Sequence, residues 1–337
     1  MRDTVVRTLI ELAKENKNIE LLTGDLGFGV LKPYWEALPD QFTNAGIAEQ
    51  NMTTVAAGMA LTGKTVFTYS IGNFPTLRCL EQIRNDCTYH NANVKIICVG
   101  GGLVYGSLGM SHHATEDMAV MRALPGMVVM APGDPVEAAE AVKAIAEHQG
   151  TCYLRLGRGG ERRIHEKLPD FKIGKAIRIE TRGKQTGKSV QKEAECGTEA
   201  VRMSGTAGRT IAVFSAGAIL DAVCDACAVL EESGISVIQY SFPTVKPIDR
   251  ETIMECAEKA EAVFTVEEHN ITGGFGSAVA EVMAEGGCGI PLYRLGLNDE
   301  YCTKVGSQQY LRNEYGISAE KIESYIRQKL EHMTDKN

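Results

Sequence analysis

Short, uninterrupted apolar segments alternate with helix-like stretches along almost the whole of this 337-residue chain. Segments such as 127–131 (Met-Val-Val-Met-Ala) and 210–215 show no polar-out alternation, so both of their faces are covered. A mostly parallel sheet with helices on both sides is the architecture that does this. The first block reads as helix 4–16, strand 19–23, a helix opening at Glu49, strand 65–69, a helix near 77–86 and strand 94–99. Helix 116–124, strand 127–131, helix 135–148 and strand 151–156 complete it. The second block reads as strand 210–215, helix 218–233, strand 236–240, helix 249–260, strand 262–267, a helix from Gly276, strand 292–295 and helix 319–330. The expected fold class is therefore α/β, with two domains at 1–165 and 210–337 joined through 166–209. Residues 182–209 are polar and glycine-rich, which fits a surface hairpin or loop, or else an arm that contacts a partner.

Composition removes several function classes. With 44% hydrophobic residues the chain can fill two cores. A net charge of −8 and the absence of any basic tract argue against nucleic-acid binding. No apolar run is long enough to span a membrane, and Met1-Arg2-Asp3-Thr4 leads straight into an amphipathic helix without a signal segment. Ten scattered cysteines then read as reduced thiols of a cytoplasmic protein. Cys224-Asp225-Ala226-Cys227 has redox or zinc spacing, but it lies in a helical pattern with no second ligand pair nearby, and a core helix is the better reading.

Chemistry enters at Gly46-Ile47-Ala48-Glu49-Gln50-Asn51-Met52, which runs into Val55-Ala56-Ala57-Gly58-Met59-Ala60. A glutamate in such a small-residue helix is solvated, paired or used. Apolar neighbours favour its protonated form, whereas a helix start favours the charged one. A capping carboxylate is the plain alternative. Asp25, in Thr23-Gly24-Asp25-Leu26-Gly27, follows a strand end, where open α/β sheets gather ligands; Asx-turn duty would also explain it.

The Glu49 segment resembles the cofactor-activating glutamate motif of the transketolase family of thiamine diphosphate enzymes, and the resemblance runs from residue 1 to about 325 with a gap in the middle. It implies a pyrimidine-binding domain at 1–165 and a transketolase C-terminal domain at 210–337. It also implies that Glu49 hydrogen-bonds the ring nitrogen of the cofactor's aminopyrimidine, favouring the tautomer that removes the thiazolium proton. Asp25 would lie near the ring and a subunit contact. Phe74, in Gly72-Asn73-Phe74-Pro75, matches the aromatic that packs on the ring, and Ile71 takes a second position where an aromatic is usual. In the loop Gly106-Ser107-Leu108-Gly109-Met110-Ser111-His112-His113, the resemblance places His112 on the substrate oxygen and gives His113 the position of the family's glutamine, as a further substrate-binding residue. Imidazole suits that proton-handling role near neutral pH, although paired loop histidines are also found exposed or capping. Arg2 and Arg158 match two phosphate-binding arginines, and guanidinium groups bind tetrahedral anions bidentately. The acidic residue that reads a sugar hydroxyl is replaced by Leu108, a phosphate-binding histidine by Gly100 and a phosphate-binding serine by Gly29. An anionic substrate tail is still implied, but one recognised differently.

The family holds Mg²⁺ and diphosphate through Gly-Asp-Gly followed by Asn. Gly24-Asp25-Leu26 and Gly133-Asp134-Pro135 do not complete that pattern. The resemblance thus implies an N-terminal partner subunit that holds Mg²⁺ and the diphosphate, an α2β2 assembly, and a thiamine diphosphate site shared at the interface. The expected reaction is transfer of a two-carbon ketol unit between sugar or sugar-phosphate substrates. A β subunit of a 2-oxo acid dehydrogenase, a relative of 1-deoxyxylulose-phosphate synthase, and a catalytically idle partner are the alternatives. Val266-Glu267-Glu268-His269-Asn270 and Gly273-Gly274-Phe275-Gly276 resemble the family's C-terminal domain; these glycines can cradle an anion or simply make a tight turn.

Overall fold

The computed structural model describes residues 1–180 and 208–334. The insertion expected at 182–209 lies outside the described residues, apart from Gly208 and Arg209. Twelve strands occur among the described residues, in chain order: β1 (Ile19–Thr23), β2 (Phe42–Asn44), β3 (Thr65–Ile71), β4 (Val94–Val99), β5 (Val128–Met130), β6 (Cys152–Leu156), β7 (Ile177–Arg178), β8 (Thr210–Ala216), β9 (Ser236–Ser241), β10 (Thr244–Lys246), β11 (Ala262–Asn270) and β12 (Leu292–Leu297). They build a seven-stranded sheet in the order β10-β5-β6-β4-β3-β1-β2 and a five-stranded sheet in the order β12-β11-β8-β9-β7. Every pairing is parallel except the edge pairs β10–β5 and β7–β9. Two mostly parallel sheets flanked by helices are what the apolar runs demand.

The central strands β4 and β6 are buried along their whole length. One face of the larger sheet packs Val5, Leu9, Leu31 and Ala141 from its covering helices against Leu21, Phe67, Ile97 and Leu154. The other face carries Met52, Ala56 and Met121 over Leu22, Val66 and Ile96, and this cluster continues into Phe214 of the smaller sheet and into Phe242 and Phe275 packed beside it. A shared core therefore bridges the two sheets. Strand exchange reinforces it: β10 extends the larger sheet although its neighbours in the chain lie in the smaller one. The far face of the smaller sheet is closed by helices Leu220–Glu232 and Ala319–Thr334 through Val223, Leu230, Ile322 and Ile326. Among the described residues no helix is long and apolar enough to cross a membrane.

Two helices have no clear sequence signal, and a third expected helix takes another form. Helix Phe28–Ala37 forms with Pro33 inside it, held by buried Leu31 and Tyr34. Helix Gln308–Glu314 is capped by Ser307, whose side chain accepts from the Tyr310 amide. The helix expected near 77–86 is instead a 3₁₀ turn, one short α-helical segment and a π-helical stretch, Ile83–Thr88.

Candidate active site

Loops that leave the carboxyl ends of parallel strands share one edge of the sheet, and that edge collects the side chains singled out above. Asp25 follows β1, Glu49 follows β2, Ile71 ends β3 with Phe74 just beyond, His112 and His113 lie in the loop after β4, and Arg158 follows β6. Arg2 joins them because helix Arg2–Glu15 turns into β1 within a few residues, which leaves its N-terminus at the same edge.

Glu49 opens helix Glu49–Leu61 and is only 5% exposed. Its Oε2 accepts a hydrogen bond from Arg78 Nη1 at 3.0 Å. The same guanidinium lies over the Phe74 ring, 4.6 Å from its centroid. His112 meets that ring edge-on, with centroids 5.4 Å apart, and its Nδ1 is 3.0 Å from Ser111 Oγ. Gly24 closes the opposite side of the carboxylate: a Cβ there would sit 3.4 Å from Glu49 Cγ. Glu49, Arg78, Phe74 and His112 are thus one continuous constellation. Its slot, between an aromatic face and a buried carboxylate, accommodates a flat nitrogen-bearing group, since the Arg78 guanidinium already lies there. An aminopyrimidine has the same flatness and the same kind of donors, so the residues present fit the ring end of thiamine diphosphate.

Asp25 adopts a left-handed backbone (φ 56°), uncommon outside glycine. Its N–H donates to Asn44 Oδ1 at 2.9 Å, and Asn44 Nδ2 donates back to Asp25 Oδ1 at 3.0 Å. Asn44 Oδ1 also accepts from the Gly46 amide at 3.0 Å. Asn44, which carries no motif of its own, therefore ties the β1 and β2 loops together and fixes the approach to Glu49. Ile71 is half-buried, and its carbonyl accepts from the Phe74 amide at 2.9 Å.

The structure does not bring His113 to the open edge beside His112. Its ring is 2% exposed, and neither ring nitrogen has a hydrogen-bond partner among the described residues. Burial lowers its pKa, with Glu268 opposing. Leu108, by contrast, is exposed. The loop carrying both histidines is clamped from below. Leu103 N–H donates to Glu268 Oε1 at 2.6 Å, and Arg155 Nη2 donates to the carbonyls of Ala114 and Glu268, each at 2.9 Å. Arg155 Nε pairs with Asp117 at 2.8 Å and Arg312 Nε with Glu268 at 2.6 Å.

At the other end of the edge, Arg158 is exposed and its Cζ lies 5.6 Å from the centroid of Tyr105. Arg2 Nε holds Asp3 at 2.9 Å. Arg78, Asn44 and Tyr105 are contributors that sequence reasoning missed. Only Arg78 had a signal, its spacing of one helical turn beyond Phe74.

Two other sequence features find structural uses. The helix start at Gly274-Phe275-Gly276 cradles a carboxyl group of the chain itself: Glu267 accepts from the amides of Phe275 (2.7 Å) and Gly276 (2.8 Å). Cys224 and Cys227 are free thiols in helix Leu220–Glu232, as a core helix requires.

Residues 1–162 match the transketolase pyrimidine-binding domain, and residues 200–322 match the transketolase C-terminal domain. The chain is 32% identical over 323 residues to a subunit of the apulose-4-phosphate transketolase of Phocaeicola vulgatus, covering 95% of this chain and 94% of that one. It is 32% identical over 323 residues to the 6-deoxy-6-sulfo-D-fructose transketolase subunit SqwH of a Clostridium species, covering 96% and 92%. Among solved structures, a split-gene transketolase described as an inactive β4 tetramer superimposes with a TM-score of 0.80 at 33% identity, over 98% of this chain and 97% of that one. The chain belongs to the transketolase family, as the C-terminal subunit of the split type, with its pyrimidine-binding domain followed by its C-terminal domain.

Proposed function

We propose that this chain is one half of a two-chain transketolase that transfers a two-carbon ketol unit from an anionic ketose to an aldose acceptor. The observation that carries the reading is the contiguous Glu49–Arg78–Phe74–His112 constellation at the carboxyl edge of the larger sheet. Thiamine diphosphate, when bound, supplies the nucleophilic carbon and the electron sink for C–C cleavage. Glu49 holds a proton at the ring nitrogen of the aminopyrimidine, in surroundings where few waters compete for it. Phe74 gives that ring a flat apolar platform, and Ile71 adds an aliphatic contact. Asp25 keeps the loop geometry beside them. His112, at the far edge of Phe74, donates to the substrate oxygen as charge develops on it. Arg2 and Arg158 hold the substrate's anionic tail. Two relatives whose names carry a sugar phosphate and a sulfo-sugar support an anionic tail.

Mg²⁺ and the diphosphate fall to an N-terminal partner in this reading. Both Gly-Asp pairs of the chain are otherwise engaged: Asp25 with Asn44, and Asp134 with the backbone amides of Val136, Glu137, Ile164 and His165. Phe28, Ile47, Leu77, Leu108 and Met110 stand exposed around the same edge, an apolar rim suited to burial against a second subunit. The inactive β4 tetramer of the split-gene neighbour is the behaviour such a half-site would show.

The test is reconstitution. The purified chain is assayed against a panel of ketose and aldose anions, alone and mixed with a partner that carries Gly-Asp-Gly and Asn. Turnover and an α2β2 mass are expected only in the mixture. Full turnover by this chain alone would contradict the half-site reading.

A further inference from the structure

The anion end of this site lacks the histidine that the family pattern places at Gly100, and the structure shows what occupies its space. Gly100 adopts a left-handed backbone (φ +90°), and a Cβ built on it would lie 2.2 Å from both Cδ2 and Cε2 of Tyr105. No side chain fits there while the tyrosine ring keeps its position. Tyr105 is half-buried, and the Arg158 guanidinium lies 5.6 Å from its ring centroid. The phenol's pKa is raised, by burial first, against the opposing pull of Arg2 and then Arg158, so both cations lie within electrostatic reach of it and the hydroxyl keeps its proton. Asp3 engages Arg2 through Nε alone, and Arg158 has no carboxylate partner among the described residues. A neutral phenol thus lies within electrostatic reach of two guanidinium groups that have donors to spare, one of them over its ring.

We propose that Tyr105 is a specificity-determining residue: with Arg2 and Arg158 it forms a three-donor cradle for the terminal tetrahedral oxyanion of the substrate, and Gly100 is glycine so that the Tyr105 ring can enter. The proposal rests on the anionic-substrate reading above and adds to it the residue that replaces the missing imidazole. The chemistry recognised is a phosphate or sulfonate head on a sugar. A hydroxyl donor with two guanidinium groups near it serves either, because both present outward-facing oxygens and accept hydrogen bonds.

The test uses the purified full chain, since all three groups belong to it, with inorganic phosphate and methanesulfonate titrated separately by calorimetry. Wild type is compared with Tyr105→Phe, which keeps the ring and removes only the hydroxyl, and with Arg158→Ala. At least one probe should bind, and Tyr105→Phe should weaken it about fivefold or more, with an unchanged melting temperature. The tighter probe identifies the head group. If Arg158→Ala weakens binding and Tyr105→Phe does not, the anion site stands and the role given to Tyr105 is overturned. If neither variant matters, or wild type binds neither probe, both the cradle and the anionic-tail reading fall.

Discussion

Glu137 lies wholly buried near the start of helix Pro135–Glu147, with Oε2 accepting from the Gly133 amide at 2.6 Å and Oε1 without a partner among the described residues. Burial is the main cause that pushes its pKa up to about 7, although the nearby His165 pulls the other way. His165 lies 3.6 Å from Glu137 and 3.3 Å from Asp134. Burial lowers the pKa of this imidazole, but the two carboxylates outweigh it and leave it raised. Both groups hold a proton more tightly in the fold than in the unfolded chain, so they stabilise the protein at low pH. For Glu137 that contribution is complete below about pH 4.5 and is lost as pH rises towards 7. Glu137→Gln should flatten the pH dependence of unfolding free energy in this window, by up to about 3 kcal/mol across it. Urea titrations at pH 5 and pH 7.5 measure the difference; identical pH dependence in wild type and variant would refute this placement of charge.

The same helix is anchored by its cap. Asp134 Oδ1 accepts from Val136 and Glu137, while Oδ2 accepts from Ile164 and His165, so one side chain ends the β5 loop, starts a helix and pins the segment that leaves β6. Asp134→Ala should cost about 2 kcal/mol or more, beyond an ordinary cap because buried amides lose their acceptor; chemical denaturation checks this, and a loss below about 0.5 kcal/mol would contradict it. Elements with a strong local signal were legible in the sequence. The apolar runs of β4, β6 and β8 and the amphipathic helix Arg2–Glu15 lie within a residue or two of their expected positions. Helix Phe28–Ala37 was not, because Gly29 and Pro33 oppose helix locally and only the tertiary burial of Leu31 and Tyr34 imposes it. The short edge strands β7 and β10 take their conformation from partners distant in sequence, which no local pattern encodes. The site divides in the same way. Glu49, Phe74 and His112 stand in motifs, whereas Arg78, Asn44 and Tyr105 matter only through contacts that folding creates, and the burial of His113 beside Glu268 is set by the second domain.

Across the whole molecule, the candidate active-site edge is held by a buried charge network that spans both sheets. Glu268 of β11 receives the Leu103 amide, Arg312 and Gln308, and its carbonyl receives Arg155 of β6. Gly102 must be glycine, since a Cβ there would approach Glu268 Oε1 to 2.6 Å. Glu268→Ala strips Arg312 of its buried carboxylate partner, leaving it Asp221 (3.1 Å) and the Ala218 carbonyl, and leaves the buried Leu103 amide without its acceptor; it should cost about 2–3 kcal/mol, with the histidine loop loosened, as denaturation and hydrogen exchange at residues 101–114 would register. Loss of less than about 1 kcal/mol with unchanged exchange would show the two domains to be coupled by apolar packing alone. Such rigidity suits the proposed half-site, which a partner would complete. The central claim is that Glu49 activates a cofactor ring gripped at its other end by that partner. Hydrogen–deuterium exchange at C2 of thiamine diphosphate, bound by the reconstituted pair, tests it directly: Glu49→Gln should slow exchange to the rate of the free cofactor, and exchange as fast as in wild type would contradict the account.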